Sequence, residues 1–384
     1  MYNPHFLQYW KELIPFFLKL DNFFADFYNT LIYIADKNPY YNELNGTCNK
    51  NYLPFSYMIL YPFTLLTNYS SISLEDCWNS QIAVLSFFFT LLSLFLLFHS
   101  LYLLCKKYKC SPIILFIIFF SSINLYALER GNEIMISAAC INYFVYVKDQ
   151  NEKKWYGIIC LAIASVLKIF PAIFSLYYLY KKEYKTFFQY AILAFLLAFL
   201  PFLFFENGFE NIGQLYENVK EQTAIYGMSF SVYRFGIIPL FLQLGKTLNI
   251  ENQFILYETG KYLTYILGLL STGLFFTTKS SLIRFGLAAM ICVLVPQQAF
   301  VYNGIYIFPL LIMLLSANSK LSSIETCLTL FLFIWILLPV QLNKFTPKIN
   351  NISMILMWVL FISIAIRQYL LNKKNNLNSS SKER

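Results

Sequence analysis

The chain has 384 residues, of which 58% are hydrophobic and only 13% charged, with a mean hydropathy of +0.55. A soluble domain carries about 25% charged residues, so this composition excludes one and points to a chain that lives in lipid. The net charge of +9 does not signal nucleic acid: the basic residues fall in short loops between apolar runs, as they do on the cytoplasmic side of membrane proteins.

Residues 6–25 include Lys11, Glu12, Pro15, Lys19 and Asp21. They make a poor transmembrane helix and lack the layout of a signal peptide. The segment is therefore either an amphipathic interfacial helix, or a stretch whose preceding span is missing. Residues 26–78 form a long outer segment. Within it, 53–67 carries Pro54 and Pro62, is too short to span, and reads as an interfacial or re-entrant helix.

Long continuous apolar runs then follow, which suit helices better than the short alternating segments of a barrel. Candidate spans are 79–105, 111–128, 132–147, 186–205, 254–278, 285–299, 302–318, 323–342 and 351–371. The expected fold is an all-α polytopic membrane protein of about nine to twelve transmembrane or re-entrant helices, at roughly 20 residues per span. One transmembrane domain covers 1–371, and 372–384 is a disordered cytoplasmic tail rich in Asn, Ser and Lys.

The basic loops set the orientation. Lys106, Lys107 and Lys109 mark one cytoplasmic loop, then Lys148, Lys153 and Lys154, then Lys181, Lys182 and Lys185, then Lys279, Arg284 and Lys320. Residues 155–180 thus begin and end on the same side. These 26 residues cannot cross about 30 Å twice at about 1.5 Å per residue. Pro171 breaks the run near its middle. The arithmetic predicts a re-entrant hairpin or two short half-helices with Lys168 near the tip; one kinked helix is the alternative. The outer side then holds 26–78, the turn 128–132, the loop 206–230, the turn near 297–302 and 343–350. The protein is expected in the cell (inner) membrane with several passes and a cytoplasmic C-terminus.

Ionisable residues at membrane depth are costly and are functional candidates by default. Here they are Glu129, Arg130, Glu133 and Lys168. Arg130 either holds an anionic ligand or pairs with Glu129 or Glu133. Lys168 either meets an anion or snorkels to an interface. Glu133, at a helix N-terminus, suits a structural role. The chain has no GxGxxG, no GxxxxGK[ST] and no Asp-x-Asp, so a soluble nucleotide sugar is not expected. His5 and His99 lie far apart and the 8 Cys are scattered without a CxxC. No metal site is expected. A Cys48–Cys77 disulfide on the outer side is disfavoured.

Several motifs in order carry a resemblance. They are Asp26-Phe27-Tyr28, Asn38-Pro39-Tyr40, Tyr52-Leu53-Pro54-Phe55, Arg130-Gly131-Asn132, Lys168-Ile169-Phe170-Pro171, Ser229 to Arg234, and Pro296-Gln297-Gln298 leading to Tyr302 and Pro309. The set resembles membrane glycosyltransferases of the C superfamily, above all glycosyltransferase family 87, the polyprenyl-phosphomannose-dependent mannosyltransferases. This resemblance implies an inverting hexosyltransferase that uses a polyprenyl-phosphate sugar as donor and a glycan or glycolipid hydroxyl as acceptor, in contact with membrane lipid and without a cofactor or metal.

It also implies roles for single residues. An outer-loop carboxylate is needed as general base; Asp26 is the first choice and Asp21 the second. Arg130, Asn132, Lys168 and Arg234 are the expected contacts to donor, with Arg234 alternatively an ordinary boundary arginine. Tyr302 and Asn303 stand where the family's late motif often carries histidine, and are assigned to the acceptor. Two other functions share these features: a transporter or flippase for a lipid-linked substrate, and a polymerase or ligase of lipid-linked oligosaccharides.

Overall fold

The computed structural model describes residues 24–41, 50–65, 82–227, 234–316, 321–338 and 346–382. Asp21, Cys48, Cys77, Lys320 and the stretch 229–233 lie outside them. The described residues are helical, with one isolated bridge between Arg234 and Phe300. Three helices are long and apolar enough to cross a membrane: Val84–Tyr108, Tyr184–Phe204 and Ile349–Lys373. Together with the shorter apolar helices they make an all-α polytopic membrane protein.

In chain order, α1 spans Ala25–Ile34, α2 Pro54–Thr64 and α3 Ile82–Tyr108. The expected single span 111–128 is two short helices, α4 (Ile114–Phe119) and α5 (Ser122–Arg130). Ser121 explains the break. Its hydroxyl accepts from the Asn124 N–H at 3.3 Å and so starts a new helix, as a serine N-cap does. Helix α6 spans Ile134–Val147 and α7 Lys154–Leu167. At Lys168 the backbone turns extended (φ −143°, ψ 121°). A 3-10 turn, Phe170–Ser175, follows with Pro171 in its first turn, then α8 (Leu176–Tyr180). The ion pair Lys154–Glu183, at 2.8 Å, brings the two ends of this segment together. Residues 154–183 are thus a hairpin with Lys168 at its turn.

Helix α9 spans Tyr184–Phe199 and α10 Asn211–Gly227. The segment 206–230, expected as a loop, is helical for most of its length. The reason it escaped pattern reading is chemical: α10 buries Asn211, Asn218 and Gln222 and leaves Ile212, Tyr216 and Val219 exposed. Its inward amides bind the first outer segment. Asn38 donates to the Asn211 side chain at 2.7 Å, Asn218 donates to the carbonyls of Tyr40 (3.2 Å) and Lys50 (3.1 Å), and Asn51 donates to Gln222.

Beyond it lie α11 (Ile237–Thr247), which the span reading did not include, α12 (Gln253–Thr277) and α13 (Ser281–Leu294). The span expected at 302–318 begins as a 3-10 turn, Val301–Ile307, and continues as α14 (Phe308–Leu314). Helix α15 is Ser323–Leu337 and α16 is Thr346–Lys382, so most of the expected disordered tail continues the last helix. Helix propagation adds one hydrogen bond per residue fixed, and this carries α16 past its apolar part.

Two cores organise the fold. The larger one joins α3 and α5–α8 to α12–α16, with Trp358, Phe285 and Phe144 at its centre. The smaller one packs α1 and α2 through Phe27, Tyr28, Tyr40 and Tyr57 against Phe89, Phe202 and Phe205. Interhelical polar pairs cross the larger core, among them Asn142 to Ser100 (3.0 Å), Trp358 to Ser271 (2.8 Å) and Ser137 with Tyr306 (2.7 Å). Such pairs contribute about 0.6 kcal/mol each in a bilayer.

The basic loops meet at one end of the bundle. Asp149 pairs with Lys148 (2.8 Å), Lys181 (2.7 Å) and Lys107 (3.5 Å). Arg284 lies over the Tyr180 ring at 3.4 Å. Asp26, Arg130, Lys168 and Tyr302 gather elsewhere, around two cavities.

Candidate active site

The turn Arg130-Gly131-Asn132 seats the start of α1 on the bundle. Gly131 ends α5 in the left-handed region (φ 59°), and the Asn132 N–H returns to the Ala127 carbonyl at 3.3 Å. Glycine is the residue that adopts this conformation without strain. The space also requires it: a Cβ there would sit 2.8 Å from Phe24 Cδ1 and 3.2 Å from Phe27 Cβ. The Phe24 N–H donates to the Glu129 carbonyl at 2.6 Å. The start of α1 is thereby seated directly on the turn.

That seating brings Asp26 into the turn's donors. Arg130 donates through Nε (3.0 Å) and Nη2 to Asp26 Oδ1, and Asn132 Nδ2 donates to Oδ2 at 2.7 Å. The Asn132 side-chain oxygen accepts from the Ile134 N–H at 2.9 Å, which fixes the amide's orientation and starts α6. The pair is largely shielded, with Asp26 15% and Arg130 22% exposed. A carboxylate has about four lone-pair sites, so these three hydrogen bonds leave acceptor capacity for a further partner. The carboxylate that Arg130 pairs with is Asp26, rather than Glu129 or Glu133 as the sequence suggested.

Asp26 and Arg130 line a cavity of about 210 Å³ together with Asn29, Thr30, Tyr33 and Tyr226. A second cavity, of about 440 Å³, holds Lys168, Asn303, Gln297 and Tyr306 among apolar side chains such as Val166, Ile169, Phe170 and Val295. Asn51, Tyr52, Gln222, Phe300 and Tyr302 line both. Tyr302 is stacked between Tyr126 (5.6 Å) and Phe300 (5.5 Å).

Lys168 Nζ lies 4.1 Å from the centroid of the Tyr52 ring and 3.6 Å from Glu133 Oε1. Burial, followed by the charges of Asp26 and Glu133, pushes the Tyr52 phenol well above its usual range, which keeps it a neutral donor. Tyr52 therefore stands between the two charged centres, with Lys168 over its ring.

Arg234 has a different setting. It is 2% exposed and lines neither cavity. Its guanidinium donates to the carbonyls of Tyr226 (2.5 Å), Gly227 (3.2 Å) and Gln297. Burial lowers its pKa to about 10. It ties the end of α10 to the strand-like contact at Ala299, where the Phe235 N–H donates at 2.6 Å. Asn303 is buried, with its N–H donating to the Phe300 carbonyl at 2.8 Å.

Of the residues expected at the site, Asp26, Arg130 and Asn132 form one cluster, and Tyr302 joins it across the first cavity. Lys168 and Asn303 share the second. Sequence reasoning missed Asn29, Thr30 and Tyr33, although they follow Asp26 at the three-, four- and seven-residue spacing of one helix face. Gln222 and Tyr226 were hidden in the expected loop. Among the described residues, no three His, Cys, Asp or Glu side chains come together as metal ligands would.

Residues 51–237 match the model of Glycosyltransferase family 87. No curated protein matches the chain. The match spans just under half of the chain and includes Arg130, Asn132, Lys168 and Arg234, while Asp26, Tyr302 and Asn303 fall outside it. It indicates a glycosyltransferase, in keeping with a membrane enzyme resembling the C superfamily.

Proposed function

We propose that this membrane glycosyltransferase moves a mannose-like hexose from a polyprenyl-phosphate carrier to a hydroxyl of a glycan or glycolipid, with inversion. The observation that carries this reading is the pair of adjoining cavities. A carboxylate lines the polar one, an ammonium lines the apolar one, and Tyr52 and Tyr302 line both. An acceptor hydroxyl suits the first and a lipid phosphate the second.

In this mechanism Asp26 takes the proton of the acceptor hydroxyl as its oxygen attacks the anomeric carbon. The bond from that carbon to the phosphate oxygen breaks, and the carrier phosphate leaves with the electron pair. Lys168 balances the charge that develops there, as fixed cations do for phosphoryl oxygens. Arg130 and Asn132 orient the base, and Arg234 secures the cavity wall at Gln297. Tyr302 and Asn303 line the path between donor and acceptor. The scheme uses no cofactor and no metal; Lys168 supplies the cation.

The gathering of lysines around Asp149 at one end of the bundle supports a cytoplasmic assignment for that end. The reading is then of a cell (inner) membrane protein with its site toward the outer face and its C-terminus in the cytoplasm. The family match favours transfer over transport, and a polymerase or ligase would draw on the same carrier chemistry.

The test is transfer by the purified protein from a panel of polyprenyl-phosphate sugars, followed by released polyprenyl phosphate. Asp26→Asn is expected to lower turnover by at least about 10²-fold, the scale of general-base catalysis, with the protein still folded. Undiminished turnover would remove Asp26 from the role.

A further inference from the structure

Glu133 is a buried carboxylate that the mechanism above does not use. It is 5% exposed, and neither of its oxygens accepts a hydrogen bond of ordinary geometry among the described residues; the Ser56 hydroxyl and Lys168 are the donors that face it. Its nearest cation is Lys168, at 3.6 Å. Two other shielded carboxylates, Asp26 and Glu325, are bound far more closely. Asp26 accepts three hydrogen bonds. Glu325 meets Arg367 at 2.6 Å and both the N–H and the hydroxyl of Ser322 at 2.8 Å. A carboxylate kept only to hold helices together needs its hydrogen bonds satisfied, because a buried charge without them is costly. Glu133 bears that cost beside Lys168, which lines the apolar cavity.

We infer that Glu133 is a positioning residue, the resting counter-ion of Lys168, and that it speeds release of the carrier phosphate after each transfer. This inference rests on the reading of Lys168 as the donor-phosphate contact. Lys168 has a flexible four-carbon stem and lies between two places for its charge, Glu133 behind it and the cavity in front. The donor is a phosphodiester with one negative charge. The product is a phosphomonoester, whose second ionisation near pH 6 gives it a charge of about −1.5 to −2 at neutral pH. Lys168 alone would therefore hold product more tightly than donor. A carboxylate fixed beside the lysine opposes this: it repels the more highly charged product more strongly, and it reclaims the ammonium once the product departs. Glu133 does not line the cavity, so it acts through Lys168 and through its field rather than by touching substrate.

The experiment compares the Kd of the donor with that of free polyprenyl phosphate on the full-length protein in nanodiscs, together with first-turnover and steady-state rates. For Glu133→Gln, product affinity is expected to rise about tenfold more than donor affinity, tenfold being 1.4 kcal/mol. Steady-state turnover should fall while the first turnover is retained. Glu133→Asp keeps the charge and should keep the product-to-donor ratio within about threefold of the parent. An unchanged ratio in Glu133→Gln would overturn the inference. So would failure of that isosteric variant to fold, since the role assigned is not structural. Lys168→Ala separates the two readings. If it leaves donor affinity unchanged, the donor assignment fails. If it weakens donor while Glu133→Gln leaves the ratio alone, only the counter-ion role fails.

Discussion

Arg130→Ala tests whether the arginine serves the base or the donor phosphate. The guanidinium makes two hydrogen bonds to one oxygen of Asp26, in a pair whose members are 22% and 15% exposed. Breaking a fully buried pair from one side costs about 3–5 kcal/mol. Partial exposure lets water reach the orphaned carboxylate, so about 2–3 kcal/mol is the expected loss here. Removing Asp26 as well should recover part of it, because no charge is then stranded. A double-mutant cycle on Arg130→Ala and Asp26→Ala should show a coupling of about 1–2 kcal/mol, read by thermal or denaturant unfolding in detergent. Kinetics give a second readout. Loss of the clamp frees the base to swing, and a misplacement of about 1 Å costs on the order of 10²-fold, so kcat should fall with donor KM little changed. Additive stabilities, or a raised donor KM at unchanged kcat, would refute the clamp and return Arg130 to the phosphate.

Two further outcomes follow from the geometry. Tyr302→Ala removes a ring stacked on Tyr126 and Phe300; acceptor KM should rise about tenfold, the effect of losing about 1.4 kcal/mol of contact, while Tyr302→Phe should retain most activity, both read by varying acceptor at saturating donor. Burial disfavours the Asp149 carboxylate, but Lys148 and Lys181 outweigh it and hold the group below the usual carboxylate range. A carboxyl depressed in the fold stabilises above its unfolded pKa of about 3.9 and loses that contribution as pH falls through the folded value. Asp149→Asn should therefore be less stable than the parent at pH 7, and the gap in unfolding midpoint should close as pH drops below about 4.

The spans and the site differed in how far the sequence revealed them. Helices such as α3 and α9 are long apolar runs, and their existence needs only hydropathy. For 155–180, length arithmetic predicted a hairpin or two half-helices, and that arithmetic holds whatever the side chains do. Asp26, Arg130 and Asn132 each stood out, but their joining did not. The contact spans more than a hundred residues of chain, and no periodicity encodes a pairing at that distance. Helix α10 was read as a loop because its buried face is amide rather than apolar, so the usual sign of a packed helix is inverted. The break at Ser121 has the form of an N-cap, yet a serine inside an apolar run reads equally well as a residue facing a neighbour. Tyr52 was visible only as part of a motif; its place beside both Asp26 and Lys168 depends on three distant segments.

The hairpin also acts as a ruler. Helix α7 has 14 residues, so at about 1.5 Å per residue it lifts the backbone of Lys168 by at most about 21 Å from its base. A hydrocarbon layer is about 30 Å thick. With that base at either hydrocarbon boundary, the lysine's backbone stops at least about 9 Å short of the opposite one. On the proposed reading, a donor phosphate met there would stay within the leaflet that holds its chain, and only the sugar would rise to meet an acceptor. Lengthening α7 by one turn would raise that meeting point by about 5.4 Å, so on the proposed reading helix length, rather than any side chain, would set the depth of the reaction in the bilayer.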